Sequence, residues 1–180
     1  MLTGPKHSGK TSAARALAGY LGIIFLDLDE EIEKITGKTP RALYLESPEL
    51  FRKAETAAFL AILDRNVNCV TAAGGGLIEN WAAMDAITQS GRVIQVFLEI
   101  SAKTAWNRIL AASKTGGLPA FLNTANPEET NNGIHKRRSE LYKAAACITI
   151  SAENKTPEAI VLEITGSDIF SSNRVPVTLF

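Results

Sequence analysis

Gly4-Pro5-Lys6-His7-Ser8-Gly9-Lys10-Thr11 follows the short apolar segment Met1-Leu2-Thr3 and matches the phosphate-binding loop pattern G-x-x-x-x-G-K-[ST]. In this motif glycines let backbone N–H groups turn toward phosphate oxygens, the lysine reaches the β- and γ-phosphates, and the threonine hydroxyl ligates Mg²⁺. The helix predicted after the loop adds the partial positive charge of its N-terminus. The stretch therefore predicts a nucleoside-triphosphate site. We assign its contacts to Gly4, Lys6, Ser8, Gly9, Lys10, Thr11 and Ser12.

The composition is that of one globular domain spanning residues 1–180, with 46% hydrophobic and 21% charged residues. Lys plus Arg and Asp plus Glu number 19 each, and no basic run is interleaved with aromatic residues, so nucleic acid is not an expected partner. The longest apolar run, residues 21–26, is too short to cross a bilayer, and the N-terminus has no secretion-signal layout. We expect a cytoplasmic protein without a membrane partner.

Three smaller expectations concern the cysteines, the assembly and the first strand. Cys69 and Cys147 each begin a strand-like run, which predicts two buried, chemically inactive thiols in a reducing compartment. No apolar heptad is visible, so we expect a monomer. Only three residues precede the phosphate-binding loop, fewer than the usual strand length of about five, which leads us to expect a native start upstream of Met1.

Strand-like and helical segments alternate along the chain, which predicts a three-layer α/β fold: a parallel sheet with helices on both faces. The predicted strands are residues 1–3, 23–26, 69–72, 92–98 and 147–150, and the second is expected to be a buried strand. The predicted helices are residues 11–21, 30–36, 40–46, 48–65, 102–112, 131–146 and 157–164, with another after Asn80. The irregular segment 113–130 is long for a connection and predicts a mobile lid. The tail, residues 166–180, has no usable periodicity.

Acidic residues and glycines follow two of the predicted strands. Asp27 and Asp29 come after the second strand, where an extended tip would place both carboxylates on one side. The structural alternative is that Asp29 is a helix N-cap. Gly74-Gly75-Gly76 follows the third strand, where a backbone free of side chains can approach a ligand.

Charged side chains also occur where two helices should face inward. Arg52 and Glu55 lie on or beside the inward stripe of the helix 48–65, and Arg138 lies on that of the helix 131–146. Two arginines facing one cleft indicate an anionic acceptor, because a guanidinium group matches a carboxylate. The alternatives are an ordinary surface ion pair for Arg52 and Glu55, and an Arg138 side chain that extends to solvent.

Five segments together resemble the shikimate kinase family, over about residues 1–150. They are the phosphate-binding loop, Asp27-Leu28-Asp29-Glu30-Glu31-Ile32, Phe51-Arg52-x-x-Glu55, Gly74-Gly75-Gly76 and Arg138-x-x-Leu141-Tyr142. The resemblance implies a P-loop kinase fold with strand order 2-3-1-4-5. It also implies transfer of the ATP γ-phosphate to the 3-hydroxyl of shikimate, within aromatic amino-acid biosynthesis.

The resemblance also implies individual roles. Lys10 and Asp29 would be catalytic, with Asp29 holding and activating the acceptor hydroxyl, and Thr11 and Asp27 would serve Mg²⁺. Arg52 and Arg138 would bind the acceptor carboxylate, and Gly74, Gly75 and Gly76 would contact the acceptor through their backbone. Lys114 falls where the family has an arginine beside the adenine.

Two departures from the family keep other functions open. Leu118-Pro119 stands where the family has Arg-Pro in the lid, and Lys114, Lys136 and Arg137 are the candidates to replace that arginine. Glu140 adds a negative charge near the expected carboxylate site. One alternative is a P-loop kinase for another small hydroxy acid, such as a gluconate-like sugar acid. Another is an ATP-binding regulatory module with weak catalysis.

Overall fold

Five short strands form one parallel sheet in the computed structural model, which describes residues 1–172. They are β1 (Leu2–Thr3), β2 (Ile24–Asp27), β3 (Cys69–Ala72), β4 (Val96–Glu99) and β5 (Ile148–Ser151). Their order is β2-β3-β1-β4-β5, and every pairing is parallel. Leu2 pairs with Ala72 on one side and Val96 on the other, so the strand before the phosphate-binding loop is central. The predicted strand order is confirmed.

Nine α-helices and two short 3₁₀ segments surround the sheet in the described part of the chain. The α-helices are α1 (Lys10–Leu21), α2 (Leu28–Thr36), α3 (Pro40–Glu46), α4 (Pro48–Asp64), α5 (Trp81–Ser90), α6 (Ala102–Gly116), α7 (Pro127–Ala145), α8 (Pro157–Thr165) and α9 (Asp168–Ser172). The 3₁₀ segments are Leu77–Glu79 and Ala120–Leu122. Side-chain caps begin six helices, since Asp27, Thr39, Ser47, Asn80, Ser101 and Thr156 each accept a hydrogen bond from a backbone N–H in the first turn.

Alternation along the strands divides the core between the two faces of the sheet. Val96 and Leu98 of β4 pack with α1 and α8 in one cluster, whereas Phe97 between them packs with Ile78 and Tyr142 on the other side. A third cluster joins α2, α4 and α5. Helices therefore cover both faces, as the sequence predicts.

Three strand predictions need correction. β2 lies at the edge of the sheet, and Ile24 is 52% exposed, so this strand is not buried. β4 begins at Val96 rather than near residue 92. Cys147 precedes β5 and is exposed, and Cys69 is half-buried, so neither is the fully buried thiol that the sequence indicated. Exposure at an edge or a strand end depends on neighbours that are distant in sequence.

The predicted lid is shorter and more regular than expected. α6 continues to Gly116 and α7 begins at Pro127, which leaves residues 117–126 as the connecting segment instead of 113–130. This segment, called the lid below, contains the 3₁₀ turn Ala120–Leu122, whose Leu122 is fully buried. Its Leu118 carbonyl accepts a hydrogen bond from Arg41 Nη1 at 2.8 Å, so the lid contacts α3.

The C-terminal region adds one helix that the sequence did not predict. α9 (Asp168–Ser172) lies inside the segment 166–180 for which no periodicity was found, and residues 173–180 lie outside the described residues. Within residues 1–172, no helix is long and apolar enough to cross a membrane.

Tyr142 links α7 to the ends of two strands, and its loss should lower stability. Its hydroxyl is fully buried and lies within hydrogen-bond distance of the carbonyl oxygens of Gly4 and Gly75. Because the substitution Tyr142→Phe leaves these carbonyls without that donor, we expect the free energy of unfolding to fall by about 1–3 kcal/mol. Urea denaturation measures the change. Tyr20→Phe, at a 58% exposed position, is the control, and equal losses in both variants would contradict the expectation.

Candidate functional site

A cavity of about 1020 Å³ opens where the carboxyl ends of the central strands meet. The phosphate-binding loop forms one part of its wall, and Asp27 and Gly74–Gly76 contribute from the ends of β2 and β3. α3, α4, α6, α7, Glu79 and the lid also contribute to the wall. Loops from separate parts of the chain thus share one space large enough for a nucleotide and a small acceptor.

The phosphate-binding loop has the backbone form that its motif requires. Gly4, His7 and Gly9 have φ values of 143°, 60° and 93°, and histidine is among the side chains that tolerate this region best. A side chain at position 4 would bring Cβ within 2.6 Å of the Leu98 carbonyl oxygen, so only glycine fits there. Gly4 and Ser8 are buried and do not line the cavity, unlike Lys6, Gly9, Lys10, Thr11 and Ser12.

Lys10 is a buried cation whose charge is poorly solvated. Only 8% of the residue is exposed, and Nζ donates to the Pro5 carbonyl oxygen at 2.7 Å. Burial, followed by the charge of Lys6, lowers the pKa of Lys10 to about 8, although Asp29 and Asp27 oppose the change. A phosphate group beside Nζ would restore the missing counter-charge.

Asp27 closes β2 and begins α2. Its Oδ1 accepts a hydrogen bond from the Asp29 backbone N–H at 3.0 Å, and its Oδ2 accepts one from the Thr11 hydroxyl at 3.1 Å. Asp29 therefore lies in the first turn of a helix and not on an extended tip, and Asp27 is the N-cap, contrary to both sequence interpretations. Both carboxylates still line the cavity.

Asp29 lies close to the glycine run. A Cβ added to Gly74 would lie 3.4 Å from both Asp29 Oδ1 and Glu55 Oε1, so these oxygens flank one point on the backbone. Asp29 keeps an accessible surface toward the cavity, but the cavity walls reduce its hydration. This desolvation, followed by the charge of Asp27, raises the pKa of Asp29 despite Lys6 and Lys10.

Arg52 is held by a buried carboxylate and a carbonyl group, which excludes an ordinary surface ion pair. Nη1 donates to Glu55 Oε2 and to the Gly76 carbonyl oxygen, each at 2.8 Å. Glu55 is fully buried, and Asn80 Nδ2 donates to the same Oε2 at 2.9 Å. Its other oxygen, Oε1, has no hydrogen-bond partner within residues 1–172. This oxygen belongs to a residue that lines the cavity.

Arg138 turns inward and does not extend to solvent, since its side chain is 13% exposed. Nη1 donates to the Gly75 carbonyl oxygen at 3.0 Å, and Nε donates to Glu79 Oε2 at 2.9 Å. The guanidinium carbon also lies 5.8 Å from the centre of the Phe121 ring in the lid. The same Glu79 oxygen is 3.9 Å from Arg52 Nη2, so the two predicted arginines converge on one carboxylate.

Glu79 is the main site residue that sequence analysis missed. Arg137 Nε donates to its Oε1 at 2.7 Å, while Arg138 holds its Oε2. Partial burial favours the neutral acid, but the hydrogen bonds and charges of Arg138 and then Arg137 hold the pKa of Glu79 below its usual range. The extra negative charge had been assigned to Glu140, which is exposed and does not line the cavity. The only signal in the sequence is the position of Glu79, three residues after the glycine run.

The three candidates to replace the lid arginine differ in whether they line the cavity. Arg137 lines the cavity, whereas Lys114 and Lys136 do not. The position of Lys114 beside the nucleotide stays a prediction. Arg41 and Arg108, neither of which the sequence indicated, also line it. Arg108 Nη1 donates to the His7 carbonyl oxygen at 3.0 Å, so a cation from α6 contacts the phosphate-binding loop.

The chemistry of the side chains beside the loop suits Mg²⁺, because a hydroxyl and a carboxylate are hard oxygen ligands. Thr11 and Asp27 supply them and are already hydrogen-bonded to each other. Within residues 1–172, no group of three or more His, Cys, Asp or Glu residues could hold a metal ion. Further ligands would have to come from water or from phosphate oxygens.

Comparison with known protein families gives one consistent result. The family model described as shikimate kinase matches residues 6–167. A shikimate kinase of Pseudomonas entomophila is 35% identical over 167 residues, which are 91% of this chain and 92% of that relative. One from Synechococcus sp. is 34% identical over 163 residues, covering 88% of this chain and 76% of the relative.

Solved structures agree with the sequence relatives. Shikimate kinase from Acinetobacter baumannii, solved in complex with shikimate, has a TM-score of 0.81 and 31% identity, covering 97% of this chain and 93% of its own. Shikimate kinase from Aquifex aeolicus has a TM-score of 0.73 and 26% identity, covering 96% of this chain and 95% of its own.

Because the pKa of Lys10 is low, nucleotide binding should weaken as the pH rises above about 8. At pH values below about 8 Lys10 is already protonated in the free protein. Above that pH the free protein has lost the proton, and phosphate must draw it back, so we expect ATP affinity to fall about tenfold per pH unit until the pKa of the bound state is reached. Calorimetry in buffers of different ionisation enthalpy should show proton uptake. Lys53→Ala, on the exposed surface of α4, should behave as the unchanged protein, whereas a flat pH profile of the unchanged protein would refute the assignment.

Proposed function

The chain belongs to the shikimate kinase family, and we propose that it transfers the γ-phosphoryl group of ATP to the 3-hydroxyl group of shikimate. The observation that carries the proposal is that one cavity holds a phosphate-binding loop, a carboxylate of raised pKa and two converging arginines. Phosphoryl transfer needs chiefly alignment of the attacking oxygen and neutralisation of charge, and these groups supply both.

We assign the triphosphate to the loop and to the cations around it. Backbone N–H groups of the loop and the N-terminus of α1 would bind phosphate oxygens. Lys10 would neutralise charge on the terminal phosphates, with Lys6 as a further cation on the same cavity wall. Arg108 supports this assignment because its guanidinium group already contacts the loop and can offset the absence of an arginine at Leu118.

Mg²⁺ would be held by Thr11 and Asp27, directly or through water. When bound, the ion would offset negative charge on the phosphates. The contribution of this chain is to hold the hydroxyl and the carboxylate 3.1 Å apart at the edge of the phosphate-binding loop. The backbone N–H of Asp29 donates to the Asp27 carboxylate. The hydrogen bond that begins α2 therefore also holds the carboxylate that we assign to Mg²⁺.

The acceptor carboxylate would bind Arg52 and Arg138. Each guanidinium group is fixed by a glycine carbonyl and by a protein carboxylate, which restricts its direction before the ligand arrives. The backbone of Gly74–Gly76 lies beside them and can approach the acceptor ring closely. Two fixed arginines would favour a small acid over a neutral polyol.

Asp29 would hold the attacking hydroxyl and accept its proton. Its raised pKa makes it a stronger base than an ordinary aspartate. The proton would move from the hydroxyl oxygen to a carboxylate oxygen of Asp29 as the bond to phosphorus forms. The bond between the γ-phosphorus and the bridging oxygen of ATP breaks, which leaves ADP.

We propose a monomer acting as one domain, because the sequence shows no apolar heptad. We further propose that it acts in the cytoplasm without a nucleic-acid or membrane partner. Sedimentation at micromolar concentration tests the assembly, and a dimer would contradict it.

A coupled assay of ADP release tests the function directly. With ATP, Mg²⁺ and shikimate, we expect turnover that falls by about two to four orders of magnitude in Asp29→Asn, because the substitution removes the base and a charge. A parallel panel with gluconate-like sugar acids examines the alternative acceptor. Tight ATP binding without turnover on any acceptor would favour the regulatory alternative and reject the kinase.

The tight fit of Gly76 against Arg52 provides a second test. A Cβ at position 76 would lie 2.9 Å from both Arg52 Nη1 and Nη2, and this flexible end of the side chain would have to move. We expect Gly76→Ala to raise the KM for shikimate about tenfold or more, while the KM for ATP stays within about twofold. Gly19→Ala is the matched control, since a Cβ there meets no atom within 4 Å. Equal KM values in the two variants would show that Arg52 does not bind the acceptor.

A further inference from the structure

Glu79 lies between the arginines assigned to the acceptor. It ends the 3₁₀ turn Leu77–Glu79, and its side chain is 18% exposed. Oε1 is bound by Arg137, and Oε2 is bound by Arg138 and lies 3.9 Å from Arg52 Nη2. A protein carboxylate therefore occupies part of the space that two arginines would otherwise offer to an acid.

The hydrogen bonds leave one end of Arg138 available. Glu79 takes its Nε and Nη2 atoms on one edge, and the Gly75 carbonyl takes one N–H of Nη1. A guanidinium group has five N–H donors, so one N–H on each of Nη1 and Nη2 remains for a ligand. Arg52 similarly commits Nη1 to Glu55 and Gly76 and keeps donors on Nη2 and Nε. A carboxylate ligand could therefore bind these donors without displacing Glu79.

The cluster formed by Arg52, Arg137, Arg138, Glu55 and Glu79 contains three guanidinium groups and two carboxylates. It carries one net positive charge, which a monoanionic carboxylate cancels. A doubly charged ligand would leave a surplus negative charge in a partly buried space, which is costly. Without Glu79 the cluster would carry two positive charges and would suit a dianion.

We propose that Glu79 is a specificity-determining residue that sets the charge of this cluster, so that the enzyme accepts a monoanionic acid and discriminates against a dianion. The inference rests on the proposed function for the identity of the carboxylate ligand. Arg137 is the counterpart of Glu79: its side chain is 61% exposed, and it adds charge at the rim of the cavity. The pair Arg137 and Glu79 therefore provides a way to change the charge in either direction.

The test compares shikimate with its analogue in which a phosphonate replaces the carboxylate. Binding is measured by calorimetry at about pH 8, where such a group is mostly doubly ionised. We expect Glu79→Gln to move the ratio of the two dissociation constants about tenfold toward the phosphonate, which is about 1.4 kcal/mol. Arg137→Gln should move it in the opposite direction, and the double variant should return it toward the original ratio.

Several outcomes would overturn the proposal. A ratio within about twofold of the original in Glu79→Gln, or an equal loss of affinity for both ligands, would assign Glu79 a structural role only. Failure of the double variant to restore the ratio would exclude control by charge. Glu49→Gln is the control because Glu49 pairs with Lys53 on the exposed surface of α4. Absence of phosphoryl transfer in the unchanged protein would reject the proposed function. The ratio of dissociation constants would still be measurable, because calorimetry requires no turnover.

Discussion

The pairing of β1 with both β3 and β4 is the constraint on which the site depends. β1 has only two residues, yet its central place fixes where the phosphate-binding loop emerges relative to Gly74–Gly76. Parallel strands end at the same edge of the sheet, so two glycine-rich segments about seventy residues apart in sequence become neighbours. A Cβ added to Gly75 would lie 3.3 Å from the Lys6 backbone nitrogen, which shows how closely the two segments pack. The nucleotide and acceptor regions are therefore adjacent because of strand order.

Charge balance governs the remainder of the cavity. Within residues 1–172, Nζ of Lys10 donates to one carbonyl group, and its burial lowers its pKa. The arginines on the acceptor side are instead paired with Glu55 and Glu79. An unpaired buried charge is costly, whereas a paired charge can be kept in place without a ligand. The phosphate side thus gains most from ligand charge, and the acceptor side gains a fixed geometry.

Local signals in the sequence predicted what depends on neighbouring residues. The helices that begin at Pro40 and Pro48 and the phosphate-binding loop each depend on signals within a few positions of sequence, and they were predicted. Strand order came from family resemblance and was confirmed. Glu79 and Arg108 were missed because their roles arise from contacts with residues 59 and 101 positions away, which no local pattern reveals. The helix cap at Asp27 was misassigned because two aspartates at a spacing of two suit a strand tip and a first helical turn equally well.

The hydroxyl of Tyr142 has one hydrogen and two carbonyl oxygens within reach, one from each glycine-rich segment. A phenol can donate that hydrogen to only one of them at a time, and the other carbonyl then faces the lone pairs of the phenol oxygen. The two segments therefore compete for a single proton. The Gly75 carbonyl also accepts a hydrogen bond from Arg138 at 3.0 Å, so it keeps a donor when the phenol donates to Gly4. One hydroxyl on α7 thus contacts both halves of the cavity.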